Sequence, residues 1–273
     1  MNAKTTLVLG GTGKTGRRIA EQLAARNVPV RIGSRSATPS FDWENRGTWA
    51  AAIANVDAVY VSYYPDLAAP GATDAIRAFT ELAVRSGVRR LVLLSGRGEP
   101  EAQRCEEIVK SSGAQWTVLR CSWFNQNFSE NYLLEPILAG EVALPAPNVG
   151  EPFVDADDIA DAAVAALTDD KHVGQLYELT GPNLLTFADA IAQIARASGR
   201  EIRYVQVSME DYVAALEQAQ LPADFIALIK YLFTEVLDGR NAYVTDGVQR
   251  ALGRAPRDFG EYARRAAASG AWK

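Results

Sequence analysis

The stretch LVLGGTGKTGRRIA, residues 7–20, decides the fold. A short apolar run stops at Gly10, and a helical pattern opens after Gly13 with Gly16 in its first turn. Only glycine lets the backbone turn this sharply and approach a ligand this closely. The first amides of a helix have no partners within it, and the helix dipole places its positive end there. The turn therefore suits the pyrophosphate of a dinucleotide. The run GGTGKT also resembles part of a nucleoside-triphosphate loop, but that pattern needs a glycine five residues before Gly13, where Val8 stands.

Outward from this turn the chain alternates. The runs 5–10, 28–33, 57–63, 89–96 and 115–120 are short, β-branched and apolar, as buried strands are. The intervening segments 15–26, 47–54, 72–86 and 101–112 carry apolar residues at helical spacing, and Asn27, Gly87 and Gly113 stand where left-handed caps belong. Strand and helix alternating in this way predict a parallel sheet covered on both faces. After residue 120 the rhythm breaks into an irregular aromatic and amide-rich segment with a short helix near 129–138. Helices are then expected at 156–167, from Thr186, after Ser208, and at 222–238, 245–252 and 258–269, with strands at 175–181 and 202–208. The expected architecture is α/β: a doubly wound parallel sheet in residues 1–150, with residues 151–273 completing the sheet and forming a smaller, mainly helical substrate-side lobe.

The second strand reports on the dinucleotide. A site for the unphosphorylated ribose places an acid about 20 residues after the glycines, and a 2′-phosphate site places Arg there. Arg35 stands nineteen residues beyond Gly16, with no Asp or Glu between Glu21 and Asp42. This favours NADP, held by Ser34 and Arg35 with Arg31 as a second cation, over NAD.

Composition narrows the chemistry. Of 273 residues, 28 are Lys or Arg and 33 Asp or Glu, a formal charge of −5 that disfavours a nucleic-acid partner. One His and two Cys cannot supply the common zinc sets, so no metal is expected. His172, in the polar run TDDKHVGQ, reads as an ordinary loop residue rather than a member of a catalytic triad. The start passes directly from a short polar lead into a strand, and no apolar run reaches the roughly 18 residues of a membrane span. A cytoplasmic protein, monomeric or homodimeric, is expected.

The motifs GGTGKTG, VRIGSR, FDWEN, LVLLSGRG, EEIVKSSGAQWTVLRCSWFNQNF, PFVDADDIADAA and YELTGP together resemble the NmrA-like family over essentially the whole chain. These are atypical short-chain dehydrogenases/reductases with an NAD(P)-binding Rossmann fold. Cofactor contacts are expected from Gly10, Gly13, Lys14, Thr15 and Gly16 of the turn and from Ser34 and Arg35 after the second strand, and the resemblance agrees with them. It also implies Asp42 and the backbone of Trp43 at the adenine, Tyr63, Tyr64 and Pro65 along the cofactor, and Ser95 and Gly96 near the nicotinamide. Ser122 to Asn127 would border the substrate.

One departure matters. The superfamily's usual proton donor is Tyr-x-x-x-Lys, yet none of the ten tyrosines is followed by Lys or Arg at that spacing, and the chain reads GRGEPEAQRCEE where the pair would fall. Ser95 and Tyr64 are the catalytic candidates left. Trp123, Phe124, Phe128 and Phe153, with Asn127, would suit a flat conjugated ligand, although such aromatics also pack helices onto sheets. The expected function is NADPH-dependent reduction of a quinone or related aromatic carbonyl by direct hydride transfer. The alternatives are a catalytically weak NADP-binding redox sensor and a tailoring oxidoreductase or monooxygenase of aromatic polyketide metabolism.

Overall fold

The computed structural model describes residues 5–273. In chain order its elements are β1 (Thr5–Leu9), α1 (Lys14–Ala25), β2 (Val30–Gly33), α2 (Trp49–Ile53), β3 (Val56–Val61), α3 (Ala72–Arg85), β4 (Arg90–Gly96), α4 (Pro100–Lys110), β5 (Gln115–Cys121), α5 (Leu134–Ala139), β6 (Glu141–Leu144), α6 (Ala156–Thr168), β7 (Gln175–Leu179), α7 (Phe187–Ser198), β8 (Arg203–Gln206), α8 (Met209–Gln218), α9 (Ala223–Tyr231), α10 (Gly247–Leu252) and α11 (Phe259–Ala268). Asn27, Gly87 and Gly113 do adopt positive φ, of 57°, 87° and 83°.

Two compact units emerge. The first comprises residues 1–121, 156–179 and 247–254, and the second 122–155, 180–246 and 255–273. The chain thus returns to the first unit twice rather than dividing once near residue 150. The reason is the sheet: β7 pairs in parallel with β5, from Thr117↔Gln175 to Cys121↔Leu179, and α6 precedes β7 as its crossover.

In the first unit six parallel strands run in the order β2-β1-β3-β4-β5-β7. Alternate residues build its two faces. Leu7, Leu9, Val59, Val61, Leu91, Leu93 and Val118 pack with Ile76, Phe79 and Ala83 of α3 and Ala102, Cys105 and Val109 of α4. The opposite face carries Tyr60, whose hydroxyl reaches Thr15 on α1 at 2.9 Å. The order reverses at β1, which lies between β2 and β3, and such a switch leaves a crevice at the carboxyl ends of the strands where ligands bind.

The second unit holds a two-stranded parallel sheet, β6 with β8, and a core of aromatic and aliphatic residues from α5, α7, α9 and α11. The strand β6 was not expected from its four residues EVAL, which are too few to display alternation. The helix expected over 222–238 runs to Tyr231 and then continues as a wider turn over Leu232–Val236. Among the described residues no helix is long and apolar enough to cross a membrane, and no three His, Cys, Asp or Glu side chains are placed to hold a metal ion.

Candidate functional site

The β1–α1 turn is built for an anion. Gly10 sits at φ +63°, and the Gly13 amide donates to its carbonyl at 2.8 Å, closing the turn tightly. A Cβ at Gly16 would fall 2.1 Å from the Gly10 oxygen and 2.8 Å from Gly11 Cα, so only glycine lets the first turn of α1 lie against this loop. Helix α1 then starts with no side-chain cap and no acidic residue in its first turn. By contrast, α7 is closed by the reciprocal pair Thr186 and Asp189, and α8 and α11 by Ser208 and Asp258. The amides of α1 and its positive dipole end thus meet a backbone cradle that a methyl group would fill, a fit for a pyrophosphate.

Thr15 contributes less than expected. Its side chain is buried and accepts from Tyr60, so its backbone amide is what it can offer a phosphate; burial also pushes the Tyr60 phenol far above its ordinary range. At the end of β2, Arg35 is exposed and no hydrogen bond or ion pair holds its guanidinium among the described residues. Ser34 is half-buried beside it, its hydroxyl 3.3 Å from that of Ser36. Arg31 is not a second free cation: it donates to the carbonyls of Ala52 and Ala54 at 2.8 and 2.7 Å, tying β2 to the end of α2. Asp42 accepts from the Glu44 amide at 3.1 Å, while its own carbonyl receives the Trp49 indole N–H at 2.7 Å. The Trp43 ring lies among Phe41, Trp49, Tyr63 and Phe79 with centroids 4.9–5.7 Å away, and its N–H donates to the Ser62 carbonyl. This knot of rings fixes the loops that follow β2 and β3.

Past β3, Tyr63 is half-buried against Trp43, and burial raises its phenol pKa; Tyr64 is 74% exposed. Ser95, at the end of β4, differs from expectation. It is buried, and its hydroxyl donates to Glu106 Oε1 at 2.7 Å, so the proton it was expected to offer a substrate is already committed. Glu106 is fully buried under a two-toothed contact from Arg120, at 2.8 and 2.6 Å, and Arg120 reaches on to Glu178 at 2.9 Å. These carboxylates hold the Arg120 guanidinium above its already high range. The network joins α4, β4, β5 and β7 and keeps the ends of the central strands in place.

In the second unit the expected substrate residues divide. Trp123, Phe124 and Asn127 are half-buried. Trp123 packs edge-on to Phe187 at 5.3 Å and tilts against Phe233 at 5.2 Å. Phe128 and Phe153 are corrected to core residues: they are 0% and 2% exposed, 5.4 Å apart, and both contact Phe187 and Phe259. Apolar burial claims them, as it claims most aromatics at sheet–helix contacts. Asn125, next to these residues in sequence, is fully buried with neither its Oδ1 nor its Nδ2 partnered.

The NAD(P)H-binding family model matches residues 10–170, and the NmrA-like family model matches 102–263. The chain belongs to the NmrA-like family. It is an NAD(P)H-binding oxidoreductase of that type. Among this family's relatives it is similar to agroclavine dehydrogenase of Claviceps fusiformis, 32% identical over 94% of this chain and 96% of the relative. It is also similar to the NAD(P)H azoreductase of Xenophilus azovorans, 30% identical over 96% and 98%. In fold it matches the NADPH-dependent quinone oxidoreductase QOR2 of Escherichia coli complexed with NADPH, with a TM-score of 0.75 at 20% identity over 95% and 99% of the two chains.

Gly10, Gly13, Lys14, Gly16, Ser34 and Arg35 of the NmrA-like chain all come from the β1-α1-β2 unit and the turns at its ends, while Tyr63 and Tyr64 follow β3 and Ser95 lies near the end of β4. Sequence reading missed Asp66 and Glu99. Asp66 follows β3, Glu99 follows β4, and their carboxyls influence one another's charge. The one available signal was Glu immediately before Pro100 at a helix start, where Ser, Thr, Asp or Asn is the usual cap.

Proposed function

We propose that this NmrA-like protein is an NADPH-dependent reductase of flat conjugated acceptors, quinones foremost. The observation that carries the reading is the α1 cradle, uncapped and free of acidic residues, next to an exposed and uncommitted Arg35. Gly10 to Gly16 and Lys14 would hold the pyrophosphate, and Ser34 and Arg35 the 2′-phosphate. Asp42 and Trp43 would lie at the adenine, and Tyr63 and Tyr64 along the cofactor. When bound, the reduced dinucleotide supplies a hydride. The protein's own task is to orient it and to exclude water.

The absence of Tyr-x-x-x-Lys supports an acceptor whose reduced oxygens are acidic enough to need little help, as phenolic oxygens are. Relatives named for an azo compound and for agroclavine, and a fold neighbour named for quinones, support a conjugated acceptor. Trp123, Phe124 and Asn127, the half-buried members of the expected substrate set, are assigned to contact it. Steady-state assays with NADPH against quinones, azo dyes and simple aldehydes test the assignment. Turnover is expected with the first two classes and not with aldehydes; oxidation of NADPH with none of them would overturn it.

A further inference from the structure

Two landmarks orient a dinucleotide over the first unit. Its pyrophosphate belongs at the turn that ends β1, and its 2′-phosphate at Arg35 beyond β2. In the strand order β2-β1-β3-β4 the other half must then run over the carboxyl ends of β3 and β4. Asp66 and Glu99 lie there, in the loops that follow these two strands.

Glu99 is the residue before α4, yet its side chain makes no capping bond to that helix. The carboxyl folds back over Gly96 instead, where a Cβ would fall 2.1 Å from Oε1 and 2.8 Å from Oε2. Glycine at 96 is what makes room for it. Glu99 is 6% exposed, its Oε2 is buried without a partner, and the carboxyl meets that of Asp66. A buried carboxylate beside a second, half-buried one is poorly placed to carry a charge, so the pair holds a proton. The Ala68 amide donates to Asp66 Oδ1 at 2.8 Å, which favours the anion on Asp66 and leaves the proton on Glu99. Burial pushes the Glu99 carboxyl well above the usual carboxylate range, and the Asp66 charge adds to this. The other titratable groups nearby do not compete for the role. Burial pushes the Cys105 thiol of α4 up to about 11, and the Arg97 guanidinium turns to Glu178 of β7 at 3.5 Å.

We propose that Glu99, the buried carboxyl folded over Gly96, is the acid that protonates the reduced acceptor in place of the missing Tyr-x-x-x-Lys pair. The role rests on the reductase reading above. Two electrons reach the acceptor as the hydride of the reduced dinucleotide, leaving negative charge on a quinone oxygen. The Glu99 O–H bond breaks as an O–H bond forms on that oxygen. Both carboxyls are then charged and repel each other until water returns a proton to Glu99, so each cycle consumes one reduced dinucleotide and one proton.

The test uses Glu99→Gln, which keeps the shape and an N–H donor toward Asp66 but carries no acidic proton. In the protein without ligand, infrared spectroscopy at neutral pH is expected to show the carbonyl stretch of a protonated carboxylic acid. That band should vanish in Glu99→Gln and persist in the surface control Glu101→Gln. With NADPH and a benzoquinone, kcat should fall about 100-fold in Glu99→Gln, with NADPH affinity unchanged. The wild-type kcat should decline with rising pH as Glu99 loses its proton, at a pH above the usual carboxylate range. In Asp66→Asn that decline should move to lower pH, because the neighbouring charge is gone. Wild-type turnover retained in Glu99→Gln, or a decline with rising pH that Asp66→Asn leaves in place, overturns the role alone. A wild-type protein that shows the band but oxidises no NADPH with any quinone overturns the reductase reading and this role with it.

Discussion

Gly16→Ala sets two physical effects against each other at one atom. In a helix interior, alanine is about 1 kcal/mol better than glycine, so propensity alone predicts a more stable protein. The structure predicts the opposite. The new Cβ would fall 2.1 Å from the Gly10 oxygen, 2.7 Å from its carbonyl carbon and 2.8 Å from Gly11 Cα, all of them backbone atoms. Comfortable contact is about 3.5 Å, so the turn must retreat by roughly 1 Å. Overpacking of this kind costs about 1–3 kcal/mol. With the helical gain subtracted, a net loss of up to about 2 kcal/mol lowers Tm by a few degrees for a chain of this size. The same retreat moves the phosphate-facing amides, and losing one charge-assisted bond weakens NADPH binding about tenfold or more. Gly13→Ala is the control, since its Cβ would meet the Gly10 oxygen at 3.2 Å and its φ of −84° suits any residue. It should leave Tm within about 1 °C, a few tenths of a kcal/mol. Thermal melts and fluorescence titration with NADPH measure both quantities. A Gly16→Ala protein with unchanged or raised Tm and wild-type NADPH affinity would refute the close-approach argument.

Arg35→Glu should weaken NADPH binding about 10- to 100-fold, the value of one charge-assisted phosphate contact, and NADH binding much less; equal losses in calorimetric titrations would remove Arg35 from the 2′-phosphate. Phe128→Ala should cost about 3–5 kcal/mol in denaturant unfolding, as fully buried aromatics do, whereas Trp123→Ala should chiefly raise KM for the acceptor. A mild Phe128→Ala would return that ring to the ligand set. His172 is buried, its Nδ1 lies 2.9 Å from the Tyr177 hydroxyl, and burial lowers its pKa. In the range between this lowered value and the ordinary 6.5 or so, the unfolded chain binds a proton that the folded chain refuses. Stability is therefore fully present above about pH 6.5 and falls as the pH drops below it. Urea melts across this range should show a fall that His172→Phe lessens, and equal acid sensitivity in both proteins would contradict it.

The first unit was legible because its signals are local. The run LVLGGTGKTG carries a strand, a turn and a helix start within ten residues, and each needs only its neighbours to form. The four-residue β6 was hidden because its identity comes from pairing with β8, some sixty residues later, and not from its own pattern. The same distinction separates the site residues. Gly10, Gly16 and Arg35 announce themselves by position after a strand. Ser95 misled because its orientation toward Glu106 depends on α4 packing beneath the sheet, and the aromatic run 123–128 alternates between core and half-buried positions only once Phe187 and Phe259 have been brought to it. Asp66 and Glu99 lie 33 residues apart on loops after different strands, so no spacing rule could pair them.

The proposed passage of reducing equivalents from NADPH to a conjugated acceptor is what every other assignment rests on. Anaerobic single-turnover mixing of the NADPH-loaded protein with a substituted benzoquinone, followed at the nicotinamide absorbance and by product analysis, tests it most directly. A single decay that yields one hydroquinone per NADPH, faster than the same mixture without protein, is expected. A nicotinamide signal that persists at the protein-free rate would contradict it.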